Sequence, residues 1–175
     1  SGVDALVIAP QCPADSHWAD EASELEKLCR FLPAMIQKFP VDPDRIYLTG
    51  LSMGGRCAWK VALAMPDTFA AMAVACGRTT DYEFENIRDM PLWMFHGVND
   101  DTTPFDNINK ILPRLMESQH RYYKLSVYPS VGHTVWKEAY THMGLYDWLL
   151  TQRLSQNRGF AAHRQETLSQ DGKTK

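Results

Sequence analysis

Gly50-Leu51-Ser52-Met53-Gly54 reads G-x-S-x-G. The chemistry that suits this pattern is nucleophilic attack by a serine hydroxyl. A nucleophile at the tip of a sharp strand-to-helix turn sits in a strained backbone conformation, so its neighbours must be small. Glycines at 50 and 54 remove side chains that would collide across such a turn. The helix that follows aims its first backbone N–H groups at the same point, which suits developing negative charge. Five residues alone are a weak signal, because a glycine-rich loop that binds a phosphate or nothing has the same composition. Context separates the two readings: an apolar strand pattern runs into this turn and a helical pattern leaves it.

A serine hydroxyl needs a base. Imidazole, with an unperturbed pKa of about 6.5, is mostly neutral at pH 7 and can take the proton. Gly132-His133 lies in the loop after an apolar segment, and the glycine lets that loop turn toward the nucleophile. His17, His120, His142 and His163 fall on polar loops, presumed helix surfaces or the C-terminal segment. His96 ends a strand and is the serious rival. The base in turn needs a carboxylate to orient it. Asp100 and Asp101 both follow the apolar segment PLWMF. Ligands of open parallel sheets bind beyond the carboxyl ends of the strands, and either aspartate satisfies that rule. The chain order serine, aspartate, histidine is the order of the α/β hydrolases.

These residues must be positioned by elements, and the sequence supplies them in alternation. Residues 5–10 (ALVIAP), 46–49, 70–75, 91–95 and 122–128 read as strands. The first is a continuous apolar run of the kind buried on both faces of a sheet. Helical spacing of apolar residues runs over 20–38, 53–65, 105–119 and 137–152, with Pro33 and Pro113 as interior blemishes. Residues 41–45 are a turn, and 79–90 are polar and irregular. Strands alternating with helices predict a mainly parallel sheet with helices on both faces and right-handed crossovers. Residues 1–153 are expected to form one catalytic domain. Residues 154–175 lose the apolar period and are expected to form a flexible tail.

Bulk properties exclude several classes. The chain has 175 residues, 45% hydrophobic and 22% charged, with net charge −3. A domain of this length buries roughly 70% of its extended surface. No basic stripe favours nucleic acid as a partner, and no apolar run approaches the ~20 residues of a membrane span. The four cysteines, Cys12, Cys29, Cys57 and Cys76, show no zinc-ligand spacing and are expected to be free thiols. No metal or organic cofactor is expected. Compartment and oligomeric state stay open.

Taken together, the stretches VIAPQCP, DPDRIYLTGLSMGG, PLWMFHGVNDDTTP, YPSVGHTVW and YDWLLTQR resemble a known group. It is the small esterase/peptidase group of α/β hydrolases, related to dienelactone hydrolase, the phospholipase/carboxylesterases and the catalytic domain of prolyl oligopeptidase. The resemblance implies an α/β-hydrolase fold and a Ser-His-Asp triad of Ser52, His133 and Asp100, with Asp100 preferred over Asp101. It puts the backbone N–H of Met53 in the oxyanion hole, and it implies cleavage of a small-molecule ester as the partner, with a peptidase or a non-catalytic fragment as alternatives. Ser52 is closer to the esterases than to dienelactone hydrolase proper, whose nucleophile is a cysteine. Trp136, Gln11 and Trp18 are candidate substrate contacts, although aromatic residues are more often packing. The family carries further strands ahead of residues 5–10 and a loop with a second oxyanion donor. The chain is therefore expected to be the C-terminal portion of a longer hydrolase.

Overall fold

The computed structural model describes residues 5–18, 20, 22–142 and 144–159. Its centre is a four-stranded, all-parallel sheet in the order β1 (Tyr47–Leu51), β2 (Ala71–Ala75), β3 (Leu92–Gly97), β4 (Tyr123–Tyr128). Sequential strands are spatial neighbours, as short βα connections favour. Helix α1 (Ala22–Lys38) precedes β1, α2 (Met53–Ala64) joins β1 to β2, and α3 (Asp106–Glu117) joins β3 to β4. After β4 come a 3₁₀ turn (His133–Val135), α4 (Trp136–Thr141) and α5 (Leu145–Thr151).

The pleat divides the buried strand residues between two cores. Met72, Val74, Leu92 and Met94 pack with Trp59, Val61, Ile108, Ile111 and Leu115 of α2 and α3. Ala71, Ala73, Ala75, Trp93 and Phe95 pack with Val135, Ala139, Leu145 and Leu149 on the other face. The expected helices on both faces are therefore present. All of β2 and β3 is buried, whereas β1 and β4 are only partly covered. No described helix is long and apolar enough to cross a membrane.

Several expectations need correction. Residues 5–10 form no strand and are exposed, with Leu6 at 53%, Val7 at 84% and Ile8 at 38%. A strand needs a neighbour's ladder to satisfy its N–H and C=O groups, and β1 pairs only with β2 among the described residues. The helix over 137–152 is two helices. His142 is extended at the break, and its Nδ1 accepts the Gly144 N–H at 3.1 Å, which turns the chain between α4 and α5. Pro33 does not split α1.

The chain also does not leave the fold at Arg153. Residues 154–159 are helical. Leu154 is buried, the Ser155 N–H and hydroxyl both donate to Asp44, and Asn157 Nδ2 donates to the Ala70 carbonyl. These polar anchors leave no apolar period to read. The remainder of the expected tail, 160–175, lies outside the described residues.

Candidate active site

The site is built on the carboxyl ends of all four strands, and the ladders continue past the strand ends to hold it. The Ser52 N–H donates to Ala75 O, Cys76 N–H to Phe95 O, Val98 N–H to Tyr128 O and Asn99 N–H to Val131 O, at 2.9–3.0 Å. Each tip is thus tied to the next before any functional side chain is considered.

Ser52 links β1 to α2 with φ 49° and ψ −115°, a conformation that costs a non-glycine residue on the order of 1–3 kcal/mol. The strain is tolerated because the turn is closed by backbone bonds, including Arg56 N–H to Ser52 O at 2.9 Å. Gly50 is required by space: a Cβ there would stand 2.2 Å from Gly54 O. Gly54 is not, because a Cβ there would meet nothing within 4 Å. Met53 opens α2, so its N–H is among the helix's first donors that no intrahelical carbonyl can accept.

Asp100 lies in the loop after β3, its side chain fully buried. Oδ1 accepts the Thr103 N–H at 2.7 Å and the Thr102 N–H at 3.0 Å. His133 Nδ1 lies 2.9 Å from Oδ2 and 3.0 Å from Oδ1. On the far side of the ring, His133 Nε2 lies 2.8 Å from Ser52 Oγ. With Nδ1 donating to the carboxylate, Nε2 is left as an acceptor facing the serine hydroxyl. Gly97 makes the approach possible, since a Cβ there would fall 2.2 Å from Val131 O in the histidine loop.

The rival residues are placed elsewhere. His96 is buried behind Asp100; its Nε2 lies 2.8 Å from Thr103 O and 3.8 Å from Asp100 Oδ2. Burial holds its pKa below the usual histidine value. It braces the loop that carries the carboxylate and does not face Ser52. Asp101 is exposed and takes the Thr102 hydroxyl.

Of the three candidate substrate contacts, Trp136 heads α4 directly after the His133 turn and is 37% exposed. Trp18 is half-buried against the α2 side of the core, the packing role. Gln11 is exposed, with its amide on the Cys12 carbonyl. A polar cavity of about 250 Å³ lined by Asp20, Arg56, Lys60, Arg78, Thr79 and Thr80 runs beside α2.

Sequence reasoning missed one residue here. Cys76 directly follows β2 with φ 43°, is 1% exposed, and its Sγ donates to the His133 carbonyl at 3.5 Å. Burial pushes its thiol up to about 11, so it is protonated at neutral pH and is no second nucleophile. Its place at the end of a buried strand was visible in sequence; its nearness to the histidine loop was not. All four cysteines are free, as expected.

Comparison with known proteins agrees with this architecture. The model of the "Dienelactone hydrolase family" matches residues 15–145. The chain is 26% identical over 149 residues to an Arabidopsis thaliana protein named "Probable carboxylesterase SOBER1-like", covering 80% of this chain and 56% of that protein. Among solved structures, a thermostable esterase superposes with TM-score 0.77 at 28% identity, covering 83% of this chain and 43% of the other. Esterase PE8 superposes with TM-score 0.57 at 21% identity, covering 80% and 66%, a likeness of fold alone. The chain spans about half the length of the first two relatives.

Proposed function

Because the chain belongs to the dienelactone hydrolase family, we propose that it is a serine hydrolase that cleaves carboxylic esters through an acyl-enzyme on Ser52. The observation that carries this reading is His133, whose two ring nitrogens reach Ser52 Oγ at 2.8 Å and Asp100 at 2.9 Å. Both contacts fall within the reach a base and its orienting carboxylate require.

The steps follow from that geometry. Ser52 Oγ attacks the ester carbonyl as His133 Nε2 takes its proton. Buried Asp100 holds the ring in the tautomer that can accept and stabilises the imidazolium that forms. The tetrahedral oxygen gains the Met53 N–H. His133 returns the proton to the departing alkoxide, leaving Ser52 acylated. Water then attacks the acyl group by the same proton path and regenerates the hydroxyl. A second oxyanion donor normally accompanies the one on the residue after the nucleophile. Losing one such donor typically costs on the order of 10²–10³ in turnover.

The test is labelling by a fluorophosphonate, read by intact mass. One label per chain is expected, absent from Ser52→Ala. Equal labelling of Ser52→Ala would overturn the assignment. Hydrolysis of 4-nitrophenyl acetate with no cleavage of peptide amides is the expected substrate pattern.

A further inference from the structure

Beneath His133 lies a thiol that the proposed reaction does not use. One ligand atom each from Cys76, Asp100 and His133 lie within 4.8 Å of one another. Cys76 and Asp100 are buried, and the His133 side chain is 27% exposed. We infer that these three side chains form a binding site for a thiophilic divalent cation, Zn²⁺ or Cd²⁺, and that filling it switches the active site off.

The donor set suits such an ion. A thiolate and a carboxylate supply two negative charges and an imidazole supplies none, which balances a dication. Thiolate and imidazole are the donors soft and borderline metals favour. Metal–sulfur and metal–nitrogen bonds of about 2.3 and 2.0 Å put the donors of a tetrahedral site roughly 3.5 Å apart. From a spacing within 4.8 Å, the sulfur therefore needs to draw in by up to about 1.3 Å, and Nδ1 and Asp100 Oδ2, 2.9 Å apart, to part by a few tenths of an ångström. Asp100 is fixed by the Thr102 and Thr103 N–H groups, so the moving part is His133, on a three-residue 3₁₀ turn. The ring also offers the way in, because the other two donors are closed to solvent.

Loading is balanced in protons. The Cys76 thiol releases its proton to solvent as the sulfur–metal bond forms. The imidazole gives up its Nδ1 hydrogen, gains one at Nε2, and coordinates through Nδ1. Nε2 then carries a hydrogen and cannot accept the Ser52 proton, while Asp100, staying in place, exchanges its hydrogen bond from the ring for a bond to the ion. The bound metal is an inhibitor and not a cofactor. The loss of activity rests on the hydrolase reading; the binding itself does not.

The experiment titrates the chain with Cd²⁺ and follows the thiolate-to-cadmium charge-transfer absorption together with fluorophosphonate labelling. One equivalent is expected to produce the band and to slow labelling by on the order of 10²-fold or more, the usual cost of losing a base. Removing the metal with a chelator should restore labelling. Cys76→Ala should lose the band and label at the same rate with or without cadmium. Equal sensitivity of Cys76→Ala to cadmium would overturn the site.

A second variant, Cys12→Ser with Cys29→Ser and Cys57→Ala, leaves Cys76 as the sole thiol and must keep the band; its loss there would also overturn it. Ser52→Ala retains all three ligands and should form the band at the same cadmium concentration. Wild-type chain that binds cadmium yet never labels would remove the hydrolase reading and leave the metal site standing.

Discussion

Two apolar runs of this chain meet opposite fates. AMAVA at Ala71–Ala75 becomes β2, with every residue at 2% exposure or less. ALVIAP at residues 5–10 is just as apolar and lies uncovered, with Val7 at 84%. Side-chain hydrophobicity does not distinguish them. The difference is in the backbone: β2 has β1 on one side and β3 on the other to take its N–H and C=O groups. Burying those groups unpaired costs a few kcal/mol each, and a run paired on both sides can be buried where an unpaired one is not. The molecule thus has a completed half, β2 to β4 with the helices on them, and a margin, residues 5–20 and the outer edge of β1.

Of the proposed catalytic side chains, Asp100 and His133 stand on the completed half and Ser52 follows β1, and the largest expected effect tests the completed half's part. Asp100→Asn keeps the size and keeps an oxygen for the Thr102 and Thr103 N–H groups. It removes the charge that favours His133 with its proton on Nδ1. Labelling of Ser52 should fall by on the order of 10⁴, with little change in melting temperature. A loss of folding without a specific loss of labelling would mean that Asp100 serves the loop and not the ring.

Next in size is the packing under the site. Phe95 is 1% exposed and stacks on Trp93 with ring centroids 4.9 Å apart. Phe95→Ala should cost about 3–5 kcal/mol, measured by urea unfolding. A cost below about 1 kcal/mol would show that the completed half is looser than its burial implies.

What the sequence disclosed divides along the same line. The strand-helix alternation, the G-x-S-x-G turn and the order of Ser52, Asp100 and His133 were legible because each depends on local pattern or on the sheet rule for carboxyl ends. The strand misread at residues 5–10 failed because pairing is decided by a segment elsewhere in space. The break after His142 was hidden inside a pattern that keeps its helical period across it. Cys76 was read only as a free thiol because only the fold brings the residue after β2 under the His133 loop. The anchoring of residues 154–159 uses Asp44 and the Ala70 carbonyl, contacts with no periodic signature.

Acid should act on the completed half and not on the margin. His120, after α3, is 4% exposed. Burial pushes its pKa down to about 4; Asp89 and the Ile87 carbonyl oppose this only partly. The unfolded chain, with a histidine pKa near 6.5, binds this proton first. Stability is therefore full above about pH 6.5, falls as pH drops toward 4, and loses on the order of 3 kcal/mol through this group. Asp20 in the margin and Asp44 ahead of β1 also have lowered pKa values, held by Arg56 and by Ser155, but both side chains stay open to solvent, which screens them. His120→Phe, placed against Tyr123, should flatten the urea midpoint between pH 7 and 4.5. An unchanged slope would move the acid sensitivity elsewhere.

The smallest effect is expected where the apolar run is uncovered, and it is the sharpest check on the comparison. Val7→Asp puts a charge on an 84% exposed side chain, and a surface change of this kind is worth no more than about 0.5 kcal/mol. Val74→Asp, the same change in β2 at 2% exposure, buries an unpaired carboxylate and should prevent folding. Backbone amides of residues 5–10 should exchange with deuterium at unprotected rates, while those of β2 exchange only on global opening. If Val7→Asp instead cost more than about 1.5 kcal/mol, or those amides were protected, residues 5–10 would have found a ladder. The distinction between a paired and an unpaired apolar run would then fail for this chain.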